Sequence, residues 1–444
     1  MTPPHLWVGP LCVAVFAAAY LLVMVEERLR LRKSVPVMLG AAVIWILIGA
    51  AYAAEGRPTI VADAARHSLL EFSELFFFLL SAITFVNTLE DRHVFAALRS
   101  WMVRRKLSLR ALFWATGALA FVLSPIADNL TTALVIGAVL LSVGGQGPRF
   151  LVPACINVVV AANAGGAFSP FGDITTLMVW QKGNVAFFEF GRLLLPALVN
   201  WLVPAVILGF NVPRGHPTPE VGGTRMLPGA RGVIALFLLT IAGTVVLHQM
   251  AHLPPVLGMM SGLGALKLYS HILQNPRGGS RRGDQADVLA EMSTDNHAAE
   301  RLDVFRIMQH VEWDTLMFFY GVMLCVGGLG LLGYLAALSH SLYTGMGPTA
   351  ANVLLGVLSA LIDNIPVMYA VLTMQPDMSH AQWLLVTLTV GVGGSLLSIG
   401  SAAGVALMGQ ARGTYTFMAH LRWTWAIAAG FFASILVHLL INGR

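Results

Sequence analysis

The sequence predicts an all-α polytopic membrane protein built as an inverted repeat, with about ten full spans, two re-entrant hairpins and two broken helices. Composition is the first reason: 57% of the 444 residues are hydrophobic and 11% are charged, whereas soluble domains carry about 25% charged residues. The second is a duplicated motif, an aspartate followed by an asparagine inside a long apolar run, at Asp128-Asn129 and again at Asp363-Asn364. The third is the crowding of basic residues onto alternate loops.

A helix needs about 20 apolar residues to cross a bilayer. Runs bounded by charged or Pro/Gly-rich breaks give full crossings near 6–25, 34–54, 74–89, 150–180, 192–211, 231–250, 253–272, 312–332, 382–410 and 421–441. The first has no basic region before it and reads as a retained span rather than a signal peptide. Segments 109–143 and 348–374 are interrupted by the Asp-Asn motif, and the second is too short for two crossings. Both read as half-helix, turn, half-helix, a form tolerated at bilayer depth only when buried in protein or lining a cavity. Within 150–180 the glycines at 165, 166 and 172, with Pro170, break the helix, and Gly393, Gly394 and Gly400 do the same within 382–410. Close helix packing is the competing reason for such glycines.

Under this map 21 of the 27 basic residues fall on one side and five on the other, Arg57, Arg66, Lys182, Arg192 and Arg444, with Lys267 inside a span. Such a bias makes the richer side cytoplasmic and puts both termini outside. The domain reading is N-terminal scaffold spans at 1–60, a first repeat at 61–211, connecting spans at 212–272, a polar cytoplasmic linker at 273–311 and a second repeat at 312–444. In the repeats, Glu74-Leu-Phe-Phe-Phe aligns with Asp314-Thr-Leu-Met-Phe-Phe, the hairpins follow, and the stretch Gly165–Asp173 aligns with Gly393–Ser401. Five crossings separate the repeat starts, so the halves face opposite ways, an arrangement that builds secondary transporters with a midplane site.

Of 22 acidic residues, five lie in apolar surroundings: Glu74, Asp128, Asp173, Asp314 and Asp363. Spare intramembrane carboxylates suit a cation, because desolvation is offset when they bind Na⁺ or a proton. Asp128 and Asp363 lead, each at a hairpin turn with Asn129 or Asn364 as a neighbouring oxygen donor, so Na⁺ is placed at these four residues. Simple capping of the second half-helix is the competing role. Unwinding at the glycine break would bring Asn163, Ser169, Asp173, Thr175 and Thr176 towards the tip, with Ser398 and Ser401 in the equivalent place; hydroxyls that merely back-bond to their own helix are the alternative. Glu74 and Asp314 start matching spans, as proton-relay or access groups or as helix-dipole partners. His93 and His310 read as solvated interfacial side chains. Cys12, Cys155 and Cys325 sit in apolar runs with no paired spacing, so neither a disulfide nor zinc is expected.

The strings FVNTLEDRHVFAAL, SPIADNLTTAL, NAGGAFSPFGDITTLMVW, HVEWDTLMFFYGVMLCVGGLG, LSALIDNIPVMYAVLTM and GVGGSLLSIGSAAGVALMGQARG resemble the NhaD-type sodium/proton antiporters of the ion transporter superfamily. The likeness runs from about Phe72 to the C-terminus, without the polar linkers. It implies a homodimer in a bacterial inner membrane, with a scaffold domain and a mobile transport domain. It also implies that Asp128, Asn129, Asn163, Asp173, Thr175, Thr176, Ser359, Asp363, Asn364, Ser398 and Ser401 line the transport site, with Glu74 and Asp314 functional. The expected activity is export of Na⁺, and of Li⁺, against entering H⁺, the two competing for the same aspartates. No cofactor and no nucleic-acid partner are called for. A Na⁺-coupled carboxylate or oxyanion transporter of the same superfamily is the alternative, opposed by the acidic tips. An enzyme is disfavoured, since no HExxH helix, Ser-His pair or protease-type aspartate pair is evident.

Overall fold

A computed structural model of the chain describes residues 7–24, 31–105, 107–142, 147–216, 225–274 and 302–443. Most of the linker expected at 273–311 lies outside them, as do Arg28, Arg30, Lys106, Arg277, Arg281, Arg282, Arg301 and Arg444 of the orientation-setting charges.

Every regular element among the described residues is helical. The chain opens with α1 (Val8–Met24), α2 (Ser34–Ala54), α3 (Pro58–Asp91) and the short α4 (Val94–Arg104). The first motif segment follows as α5 (Leu109–Ala127) and α6 (Asn129–Ser142), and the first broken helix as α7 (Pro148–Gly166) and α8 (Ile174–Gln181). A 3₁₀ turn leads into α9 (Leu194–Asn211); then come α10 (Ala230–Ala251), α11 (Pro255–Gln274) and α12 (Val304–Gln309). The last third holds α13 (Trp313–Leu331), α14 (Tyr334–Ser339), α15 (Pro348–Leu358), α16 (Asn364–Met374), α17 (His380–Gly393), α18 (Ala402–Gln410), α19 (Phe417–Leu421) and α20 (Thr424–Asn442).

Nine helices among the described residues are long and apolar enough to cross a membrane. Three differences from expectation stand out. α1, at 17 residues, falls short of that group. α5, expected as a half-helix, is 19 residues long and itself reaches spanning length; the arms of the second motif segment are 11 residues each. The span expected at 74–89 belongs to α3, a continuous helix of 34 residues. Asp63, Arg66, His67 and Glu71 interrupt the hydropathy of α3 but not its helix, and they pair along it: Arg66 with Asp63 at 3.7 Å and His67 with Glu71 at 2.8 Å. Such i,i+3 and i,i+4 pairs support a helix rather than end it. Glu74 is therefore mid-helix, not in a first turn, and a dipole role for it falls away.

The chain divides into two compact units. One comprises Met1–Phe72, Arg105–Glu220 and Trp313–Arg444. In it, α1, α2 and α13 share a core of Cys12, Ala41, Ile44, Ile48, Cys325 and Leu329. The motif helices of this unit pack in matching ways: α5 against α7, and α15 against α17. The second arms cross over, α6 lying on α18 and α16 on α8. The other unit, Ser73–Arg104 with Val221–Glu312, joins the later part of α3 to α10 and α11. Phe85 stacks on Phe237 at 4.9 Å and Ser81 Oγ donates to the Met259 carbonyl at 2.7 Å. Arg92, fully buried, keeps Asp91 at 2.8 Å, and Lys267 lies over the Phe305 ring at 3.9 Å. His93 and His310 are exposed in this unit, as expected of solvated side chains.

Candidate functional site

The two motif regions build the same local geometry from different residues. Ser124, four residues before Asp128, donates to the Ala162 carbonyl at 2.6 Å. Ser359, four before Asp363, donates to the Val390 carbonyl at 3.0 Å. Ala162 and Val390 each stand three residues before the first glycine of their break. The breaks close in the same way too: a Cβ on Gly166 would lie 2.5 Å from the Gly172 carbonyl oxygen, and one on Gly394 would lie 2.4 Å from that of Gly400. Only glycine tolerates such an approach. Each break then ends on a side chain that caps the next helix. Asp173 accepts from Thr175 N at 2.9 Å to start α8, and Ser401 accepts from Gly404 N at 3.2 Å to start α18. The halves differ at that cap, one charged and one neutral.

Asp173 is buried and is the centre of the cluster. Asn129, the first residue of α6, donates to its Oδ2 at 2.7 Å, and Asn364, the first residue of α16, donates to the same oxygen at 3.1 Å. Thr175 Oγ1 donates to Oδ1 at 2.9 Å. A carboxylate oxygen can only accept, which sets the Asn129 amide with Nδ2 towards Asp173. That same Nδ2 lies 3.1 Å from Asn163, which must therefore present Oδ1. The Asn163 Nδ2 in turn donates to Ser395 Oγ at 2.8 Å and Ser401 Oγ at 3.0 Å. One carboxylate thus joins both Asp-Asn motifs and both breaks in a single hydrogen-bonded chain.

The remaining expected residues stand outside that chain. Asp128, at φ +54°, is half-buried and accepts from Thr131 N at 2.7 Å and Thr131 Oγ1 at 2.9 Å. Asp363 caps α16 through Ile365 N at 3.5 Å. Both tip aspartates thus fill the capping role that the sequence left open beside ion binding. Thr176 Oγ1 donates to the carbonyls of Ser169 and Asp173, and Ser359 to backbone carbonyls, so these hydroxyls are structural in this arrangement. Ser398 is buried, and its Oγ has no hydrogen-bond partner among the described residues. Asp314 sits in the first turn of α13, as expected, and accepts from Ser34 at the start of α2. Glu74 is half-buried within α3. Ser395 is the member that motif reading missed; its signal was a hydroxyl directly after the second glycine pair, where the first repeat has Ala167.

Among the described residues no three His, Cys, Asp or Glu side chains gather as a metal cage. The cluster offers amide, hydroxyl and carboxylate oxygens around one buried negative charge, a donor set for a hard, weakly held cation. Nine long apolar helices among the described residues mark a multi-pass membrane protein, and a buried carboxylate where the paired motif segments meet is an arrangement suited to transport. A family profile described as "Citrate transporter" matches residues 20–391. The Na(+)/H(+) antiporter NhaD of Alkalimonas amylolytica is 55% identical over 98% of this chain and 91% of its own, and that of Vibrio cholerae serotype O1 is 53% identical over 99% and 93%. The chain belongs to the family of NhaD-type sodium/proton antiporters. More distant is Sodium/proton antiporter 2 of Arabidopsis thaliana, 29% identical over 96% of this chain and 98% of its own.

Proposed function

We propose that the protein exports Na⁺, and also Li⁺, from the bacterial cytoplasm in exchange for H⁺, the cation and the proton competing at the Asp173 cluster. One observation carries the reading: asparagines from both motif segments donate to a single buried carboxylate. Protonated, Asp173 is neutral and needs no cation. Ionised, it carries a charge whose desolvation a Na⁺ ion offsets. A half-turn of the Asn129 or Asn364 amide exchanges an N–H donor for a carbonyl oxygen, converting the hydrogen-bonded cluster into an oxygen ligand set. The expected ligands Asp128, Asn129, Asp363 and Asn364 thereby gain Asp173 as their centre, with Asp128 and Asp363 adding negative potential at the two helix starts. Glu74 and Asp314 are access groups in the same proposal.

The protein would work as a homodimer in the bacterial inner membrane, with two re-entrant hairpins within an inverted repeat, both termini periplasmic, and alternating access by movement of the motif-bearing helices. The citrate description of the family profile favours the second reading, Na⁺-coupled uptake of a carboxylate. A fixed negative charge where that anion would bind argues against it.

Everted vesicles with an acidified lumen and a pH dye test this. Na⁺ and Li⁺ should relieve quenching in the parent protein, and Asp173→Asn should abolish the response at unchanged abundance. Parent-like exchange in Asp173→Asn would sink the site; Na⁺-driven uptake of labelled citrate or succinate without proton exchange would favour the rival.

A further inference from the structure

Asn163 Nδ2 donates to the hydroxyl of Ser395, whose backbone is non-helical because it lies in the break between α17 and α18. A carbonyl in such a break has lost its helical partner and must find another donor. Here the donors come from outside the motif. His420, fully buried in α19, places Nε2 3.0 Å from the Ser395 carbonyl. Since that oxygen can only accept, Nε2 carries the hydrogen. The opposite ring nitrogen, Nδ1, is 2.7 Å from the Tyr415 hydroxyl, so both nitrogens are engaged and the ring is fixed. Thr424 Oγ1 holds the next carbonyl, that of Leu396, at 2.9 Å.

We propose that His420 is a positioning residue for ion exchange: by holding the Ser395 carbonyl it keeps Ser395 Oγ under the Asn163 amide, and so keeps Asn163 Oδ1 turned into the cluster. The inference rests on the cation site proposed above and assigns that site an outer support. Buried groups that orient the ligands of a bound ion change its affinity without touching it. A ring whose two nitrogens are bonded supplies direction as well as attraction, which a packing residue does not.

The experiment reads the Na⁺ concentration giving half-maximal exchange, and the maximal rate, in everted vesicles carrying the full chain. His420→Leu should raise the half-saturating Na⁺ about ten-fold. His420→Gln, whose amide can still donate to the Ser395 carbonyl, should stay within about two-fold, because the bond to the carbonyl is kept. Ser395→Ala should raise it on its own, and adding His420→Leu to Ser395→Ala should change little further, since residues acting through one contact are not additive. An unchanged half-saturating Na⁺ in folded His420→Leu, or full additivity with Ser395→Ala, overturns the inference. If His420→Leu fails to accumulate, Tyr415→Phe releases the ring from one side only; it should shift the same parameter upward, and no shift there overturns the inference equally. Asp173→Asn runs alongside. An inactive Asp173→Asn with a parent-like His420→Leu removes His420 alone, whereas an active Asp173→Asn removes the site and this support together.

Discussion

Asp173 accepts hydrogen bonds from three side chains and one backbone amide, and only Thr175 among those partners is local in sequence. The Thr175 hydroxyl at 2.9 Å favours the charged form of the carboxylate. Removing it in Thr175→Val should let protons compete better, so the half-saturating Na⁺ should rise about ten-fold at fixed pH, the scale of a hydrogen bond to a charged group. Thr175→Ser keeps the donor and should remain near the parent. A Thr175→Val protein with parent-like Na⁺ dependence would show that this bond serves capping alone. Apart from Ser395, the residues of the cluster were legible in the sequence as polar groups where lipid excludes them, but their ranking was not. Asp128 and Asp363 drew attention by repetition. Asp173 lacks a twin, since Ser401 stands in its place, and its central role emerges only when α6 and α16 converge on it.

Among the helices, the C-terminal end of α8 and the middle of α16 are tied to α3 at one carboxylate. Glu71 accepts from the Tyr369 hydroxyl at 2.9 Å and from Lys182, and pairs with His67 at 2.8 Å. Tyr369 lies six residues beyond Asp363 and Lys182 nine beyond Asp173, so both motif helices share the anchor. Tyr369 is buried, and Glu71→Ala would leave its hydroxyl without that acceptor, at a cost of about 1–3 kcal/mol. The detergent-solubilised protein should lose thermal stability in Glu71→Ala, and adding Tyr369→Phe should recover part of the loss by removing the stranded hydroxyl. No recovery in the double variant would mean that the Lys182 pair, not the tyrosine, carries the anchor. Helix boundaries at the motif segments were readable because glycine, proline and the Asp-Asn pair are strong local signals. The first half of α3 was not, since hydropathy falls wherever charges appear, and the pairing that keeps those charges within a helix is a property of three dimensions.

Over the whole molecule, the proposed inversion of the two halves is a claim about sides of a membrane. Basic residues are costly to translocate, so their excess marks the cytoplasmic face. The two broken helices test it, because their second halves end at equivalent places: α8 shortly before Ala186 and α18 shortly before Arg412. If the repeats are inverted, these loops lie on opposite sides despite their matching local folds. Cys12, Cys155 and Cys325 are all buried, so the parent chain should react little with a membrane-impermeant maleimide. Ala186 and Arg412 are both exposed, and a cysteine at either site disturbs no side-chain contact within the cluster. Ala186→Cys should label in right-side-out vesicles and be silent in everted ones; Arg412→Cys should do the reverse. Labelling of both from one side would contradict inversion, because matched loops on one face require a parallel repeat. Labelling from opposite sides but in the reversed sense would keep the inversion and turn the whole chain over, placing the termini in the cytoplasm against the charge bias.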